Sequence, residues 1–218
     1  MKRTSKKKKE SSDINKDALM YALLGFIYFH GDDEHEQDFS KARFFFERSI
    51  ELGNAKAKNM LAGLYLVAPG DEQNFPKAYE LLQDQIADND PLAYMTLGAA
   101  YLYEMGVKRD IEKAIFLYTQ AFEYGFAKAA YVLGHLYYES NIIPQDPEKA
   151  FSWYLKGAEK GDKQSQEVIS YFYKVGIGCE ADQGKSTHWL EESKKAKDEN
   201  PLEIIPASCG FIPLQKVR

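Results

Sequence analysis

Tyr28, Tyr65, Tyr101, Tyr137 and Tyr173 stand 37, 36, 36 and 36 residues apart. A fixed internal period of this length marks stacked supersecondary units, because one unit of that size cannot bury its apolar face alone. Five further columns keep the phase. Three residues before each tyrosine comes a small residue (Gly25, Ala62, Gly98, Gly134, Ser170), preceded by Leu24, Leu61, Leu97, Leu133 or Ile169. Downstream, Lys41, Lys77, Lys113, Lys149 and Lys185 recur every 36 residues, each followed by Ala42, Ala78, Ala114, Ala150 or Ser186. Three residues before each lysine lies Asp38, Asn74, Asp110, Asp146 or Asp182. Six columns in phase over five copies define the organisation.

Each copy reads as helix–loop–helix–turn. In Pro91–Tyr103 the positions Ala93, Leu97, Gly98 and Tyr101 form one helical stripe, with the small residue where a second helix must approach closely. Asp110 suits an N-cap for the helix that carries Lys113. That second helix bears a bulky pair: Phe45/Phe46, Leu81/Leu82, Leu117/Tyr118, Trp153/Tyr154 and Trp189/Leu190. It stops at Gly53, Asn89, Gly125 and Gly161, residues that tolerate the left-handed conformation ending a helix. The first interval of 37 predicts one extra residue in the first loop, around Gly31–Gln37. The fifth copy is degenerate, with Ser165, Ser170, Ser186 and Lys197 at its column positions. The fold class is all-α: a right-handed α/α superhelical solenoid of about five helix–loop–helix repeats with a 36-residue period.

These columns resemble the Sel1-like repeat family, relatives of the tetratricopeptide repeat. Ala93–Gly125, with its "MGVKRDIEKA" segment, and Ala129–Gly161, with "EKAFSWYLKGAEKG", match the pattern best. The first copy has Met20 for alanine, and the second has Ala62 for glycine and the loop "VAPGDEQNFP". The resemblance spans roughly Asp17 to Lys197 and implies a scaffold fold used by adaptors, signalling components, effectors and immunity proteins. One secreted branch of the family carries a cysteine pair in each repeat. This chain has two cysteines, Cys179 and Cys209, which argues against that branch and against a disulfide framework.

The formal charge of −5 divides unevenly. Residues 1–16 hold seven basic and two acidic side chains, so the rest of the chain carries −10. The division expected is a basic, disordered tail over 1–16, the solenoid over 17–197, and a C-terminal capping segment or tail over 198–218. The last segment has three prolines together with Leu202, Ile204, Ile205, Phe211 and Ile212, more apolar side chains than a linker needs. The apolar run Ala18–Phe29 is too short to span a bilayer as a helix and lacks a small-residue cleavage site. A cytoplasmic location follows, with specialised secretion left open. The acidic body argues against a specific nucleic-acid partner.

Enzyme signatures are missing: there is no phosphate-cradling glycine loop, nucleophile elbow or paired-histidine metalloprotease helix. His30-Gly-Asp-Asp-Glu-His-Glu reads as a solvated loop in preference to a metal site, and Cys179 as a loop thiol. No cofactor and no catalytic residue is assigned. By analogy with tetratricopeptide units, positions flanking the Leu-Gly pair and following the tyrosine line a concave groove. The candidate partner-binding residues are Asn59, Tyr103, Tyr131, His135, Tyr138, Tyr171 and Lys174, tyrosine offering large contact area with one hydroxyl. The same tyrosines also suit the sealing of repeat junctions. The expected function is a non-catalytic interaction scaffold or adaptor holding a peptide or protein, with the acidic body favouring a basic partner surface. The alternatives are an effector or immunity protein that occludes one dedicated partner, and an enzyme-associated protein with hydrolytic activity.

Overall fold

The period markers fall where helices begin and end. The computed structural model describes residues 2–196, which hold ten α-helices and no strand: α1 Lys2–His30, α2 Phe39–Glu51, α3 Lys56–Val67, α4 Phe75–Ala87, α5 Pro91–Leu102, α6 Ile111–Glu123, α7 Lys128–Tyr138, α8 Pro147–Glu159, α9 Lys163–Val175 and α10 Gln183–Lys195. A 3-10 turn at Gly70–Glu72 precedes α4. Within the described residues, 2–109 form one compact unit (α1–α5) and 110–196 a second (α6–α10). The C-terminal segment 198–218 lies outside the described residues. α1 begins at Lys2 and runs to His30. Residues 2–16 contain no glycine or proline, and a helix already nucleated at Asp17–His30 extends through lysine and glutamate at little cost.

Every second helix of a repeat starts with the same device. The carboxylate or amide oxygen of Asp38, Asn74, Asp110, Asp146 and Asp182 accepts from the backbone N–H of the column lysine at 2.9, 3.1, 2.9, 3.0 and 2.9 Å. Such a cap contributes about 1 kcal/mol. The same capping residue donates its own N–H to the tyrosine carbonyl that ends the preceding helix: Asp38 to Tyr28 (2.7 Å), Asn74 to Tyr65 (2.9 Å), Asp146 to Tyr137 (2.8 Å) and Asp182 to Tyr173 (2.8 Å). The lysine then folds back over the tyrosine ring of its own repeat, Lys41 on Tyr28 at 4.9 Å, Lys77 on Tyr65 at 5.7 Å, Lys149 on Tyr137 at 5.5 Å and Lys185 on Tyr173 at 5.1 Å. In three of these repeats it also pairs with the cap carboxylate, Lys149 with Asp146 at 3.0 Å being the shortest. Tyrosine, aspartate and lysine columns are thus one loop clasp.

The stop column does what its residue types require. Gly53, Asn89, Gly125 and Gly161 have φ of +90°, +58°, +97° and +88°. Around each, two amide-to-carbonyl bonds close a Schellman motif, as with Gly53 to Ile50 (2.8 Å) and Asn54 to Ser49 (3.0 Å). The next residue forms a column that the tyrosine spacing does not reveal: Asp90 and Asp162 cap α5 and α9 from their side chains, and Asn54 bonds the Ser49 hydroxyl.

Small residues open the space for the bulky pair. A Cβ at Gly134 would lie 2.7 Å from the Tyr154 ring, and one at Gly25 would lie 2.5 Å from the Phe46 ring. The second residue of the pair is buried in four repeats (Phe46, Leu82, Tyr118, Tyr154), and so is the alanine after each lysine. In the fifth, Leu190 is exposed. The first unit's core joins Phe29, Phe46, Met60, Leu64, Tyr65 and Leu82. In the second unit, Tyr154, Ile169, Phe172 and Tyr173 close the core under α8–α10.

Candidate interaction surface

Asn59 and Tyr103 belong to the first unit; Tyr131, His135, Tyr138, Tyr171 and Lys174 belong to the second. Asn59 does not face an open groove: its relative exposure is 0%, and its Oδ1 accepts from the Thr96 hydroxyl at 3.0 Å. Its Nδ2 is buried without a hydrogen-bond partner. The reason lies in the repeat stack, where position 59 of α3 meets the following first helix, α5. Tyr103, at the C-cap of α5, is half-buried against the first unit's core, and burial pushes its phenol above the ordinary value. Neighbouring positions in the same columns, Ala22, Gly63, Ala99 and Leu102, are likewise buried. Columns assigned to a groove by analogy are therefore junction columns in the inner repeats.

The second unit brings its candidates together differently. Tyr131, His135 and Tyr138 follow one stripe of α7 at i, i+4 and i+7. Tyr131 packs on the Tyr154 ring (5.7 Å between centroids) and near His135 (6.3 Å). Its phenol is pushed up, first by burial and then by Glu139, Asp162 and Glu167. His135 Nε2 stands 3.3 Å from a Glu139 carboxylate oxygen, while Nδ1 is buried without a hydrogen-bond partner. Tyr138 meets Phe172 of α9 edge-on at 4.8 Å. Tyr171 and Lys174, on α9, are exposed, Tyr171 by 54%. Five candidates thus share α7 and α9, graded from half-buried to open.

Other groups are engaged locally. Asp32 accepts from the N–H groups of Glu34 (2.9 Å) and His35 (2.7 Å) and pairs with His35 Nδ1 at 2.8 Å, so the first loop uses its own acidic and imidazole groups. Among the described residues no group of three His, Cys, Asp or Glu side chains is placed to hold a metal ion. Burial pushes the Cys179 thiol up, away from the thiolate that a nucleophile needs, and its Sγ lies 3.8 Å from the Phe172 carbonyl oxygen. Among the described residues no helix is long and apolar enough to cross a membrane.

Column reasoning passed over several exposed apolar side chains: Leu19, Met20 and Leu23 on α1, and Phe44 and Phe116 at one repeat position of α2 and α6. Met20 had a signal, as the one copy without a small residue in its column.

The Sel1 repeat family model matches residues 18–54, 55–83, 91–125, 127–162 and 164–198. The chain belongs to the Sel1 repeat family. Its fold is the all-α repeat solenoid, with five Sel1 repeats accounting for most of the sequence. Similar solved structures include a Sel1 repeat protein from Oxalobacter formigenes (TM-score 0.60, 24% identity, covering 83% of this chain and 74% of that one). A protective antigen of uropathogenic Escherichia coli strains, displaying an SLR fold, is 29% identical over 90% of this chain at TM-score 0.56; the match spans 41% of that longer protein. An immunity protein from Pseudomonas aeruginosa matches at TM-score 0.55 and 20% identity, over 88% and 69% of the two chains. Among curated proteins, none matches. Sel1 repeats are generally non-catalytic scaffolds for protein interactions.

Proposed function

We propose that this Sel1 repeat protein is a non-catalytic interaction module that holds a peptide or protein in the groove offered by α7 and α9. The observation that supports this reading most is the graded aromatic surface of the second unit. Tyr171 is open, Lys174 lies beside it on α9, and Tyr131 and Tyr138 present partly covered rings. An exposed tyrosine next to rings already fixed by packing offers contact area at low entropic cost. The body of the chain, over residues 17–197, holds 28 acidic and 19 basic side chains, which favours a partner with a basic surface, and steering by that field weakens with salt.

The test is capture of partners by the intact protein, followed by titration calorimetry with Tyr171→Ala and Tyr138→Ala. Tyr171→Ala weakens binding by about 2 kcal/mol if it is a hot spot, with an unchanged melting temperature. Tyr138→Ala lowers the melting temperature as well, because its ring seals the contact with Phe172. Full-strength binding by a triple variant that adds Tyr131→Ala would sink the assignment. A second reading is occlusion of one dedicated partner, the role that the name of the Pseudomonas neighbour gives to that protein. An adaptor captures several weakly bound proteins, whereas an occluding protein captures one in a tight complex of fixed stoichiometry. Turnover in a panel of hydrolase substrates, abolished by Cys179→Ala, would overturn both.

A further inference from the structure

The face that α7 and α9 share has an aromatic floor and an acidic border. Tyr131 packs on Tyr154 at 5.7 Å, Tyr154 meets Phe172 of α9 edge-on at 5.3 Å, and Tyr138 meets the same ring at 4.8 Å. These contacts hold the Tyr131 and Tyr138 rings in place while each stays only half-buried. Carboxylates border the floor from both helices. Glu139, 60% exposed at the C-cap of α7, reaches His135 Nε2 at 3.3 Å, and His135 in turn lies beside Tyr131. Glu167 follows Tyr131 by one period of 36 residues, so it takes the Tyr131 position on α9, where it is exposed. Lys174 stands two turns further along α9, at the Tyr138 position.

The tyrosines of the repeat column meet a cation of their own chain: Lys149 stands over Tyr137 at 5.5 Å and Lys185 over Tyr173 at 5.1 Å. At Tyr131 the sign is reversed. Besides burial, its phenol is acted on by Glu139, Asp162 and Glu167, all pushing it up, whereas at Tyr173 the Lys185 ammonium acts against the rise. An aromatic face in a negative field is the complement of a cation. Resting on the reading of α7 and α9 as a peptide groove, we infer that its acidic end is an arginine pocket: a guanidinium of the bound peptide lies on the Tyr131 ring and donates to Glu139 and Glu167. Arginine fits better than lysine, because its planar fork stacks on a ring and serves two acceptors at once. Tyr171, exposed one turn after Glu167, then covers the aliphatic stem.

NMR titration of the full chain with a defined probe tests this. The probe is a short, end-capped alanine–glycine peptide with one central arginine, and its twins carry citrulline or lysine instead. The arginine peptide is expected to bind and to shift amides of α7 and α9. Citrulline, the same shape without the charge, weakens binding by about tenfold or more, and lysine by about threefold. Glu139→Gln with Glu167→Gln weakens the arginine peptide by about tenfold at an unchanged melting temperature, since both carboxylates are exposed. Tyr131→Leu keeps an apolar contact with Tyr154 but removes the ring face, and weakens it by about threefold. No binding at peptide concentrations on the order of 10 mM, equal affinity for the citrulline twin, or indifference to the double glutamine variant overturns the arginine pocket. A lysine twin that binds as tightly overturns the choice of arginine. A captured partner that loses affinity with Tyr171→Ala yet binds the double glutamine variant at full strength keeps the groove and removes the pocket.

Discussion

A single aspartate does three things in the first, fourth and fifth loops. Asp146 caps α8 through the Lys149 N–H, closes the loop through its own N–H to Tyr137, and pairs with the Lys149 ammonium at 3.0 Å. Those contacts favour the ionised form. The backbone bond from Lys149 is the largest cause holding the Asp146 carboxyl below its ordinary value, and the corresponding bonds do the same for Asp38 and Asp182. A carboxyl with a depressed pKa in the folded state contributes stability above its unfolded value, and the contribution is lost as pH falls through the folded one. Thermal midpoints measured across the acid range should therefore fall as pH drops below the ordinary aspartate value of 3.8. Replacing Asp146 with Asn should flatten that dependence. The residue scale also shows what a column conceals. The lysines announced the period, yet their partner, the tyrosine ring of the same repeat, depends on a fold-back that spacing does not encode. Asn59 failed as a groove residue for a related reason: a column records recurrence, and the helix that covers it belongs to another repeat.

At the scale of the element, helix pairs are set by what glycine leaves out. Gly134 admits the Tyr154 ring, and Phe172 of the next repeat meets both Tyr154 (5.3 Å) and Tyr138 (4.8 Å). Gly134→Ala should cost about 1–3 kcal/mol, read as a fall in the denaturant midpoint with an unchanged slope, because the ring must move off its rotamer. A change below a few tenths of a kcal/mol would show that the pair slides without strain. Helix boundaries were legible because the caps and stops are carried by residues with a narrow conformational use, aspartate, asparagine and glycine.

For the molecule as a whole, family membership explains the division between strong and weak inference. Five copies make the helix pairs repeat, so any column supported by four of them is secure. The copies depart from one another at a few positions: Met20 stands where others have alanine or serine, Tyr171 where others have Phe26, Gly63, Ala99 and His135, and Leu190 is exposed where its counterparts are buried. The first repeat also tolerates one residue more than the rest. Its loop runs ten positions from Tyr28 to Asp38, whereas Tyr65–Asn74, Tyr137–Asp146 and Tyr173–Asp182 run nine, and the same backbone bond closes all four. Inserting about eight Gly/Ser residues after Asp33 should therefore lower the melting temperature by only a few degrees, since doubling a loop costs about 0.6 kcal/mol. Loss of cooperative unfolding on calorimetry would contradict that. If the midpoint holds, the clasp separates inheritance from novelty: the helices keep the register of the array, and each closed loop becomes a socket in which new sequence is tried without retuning its neighbours.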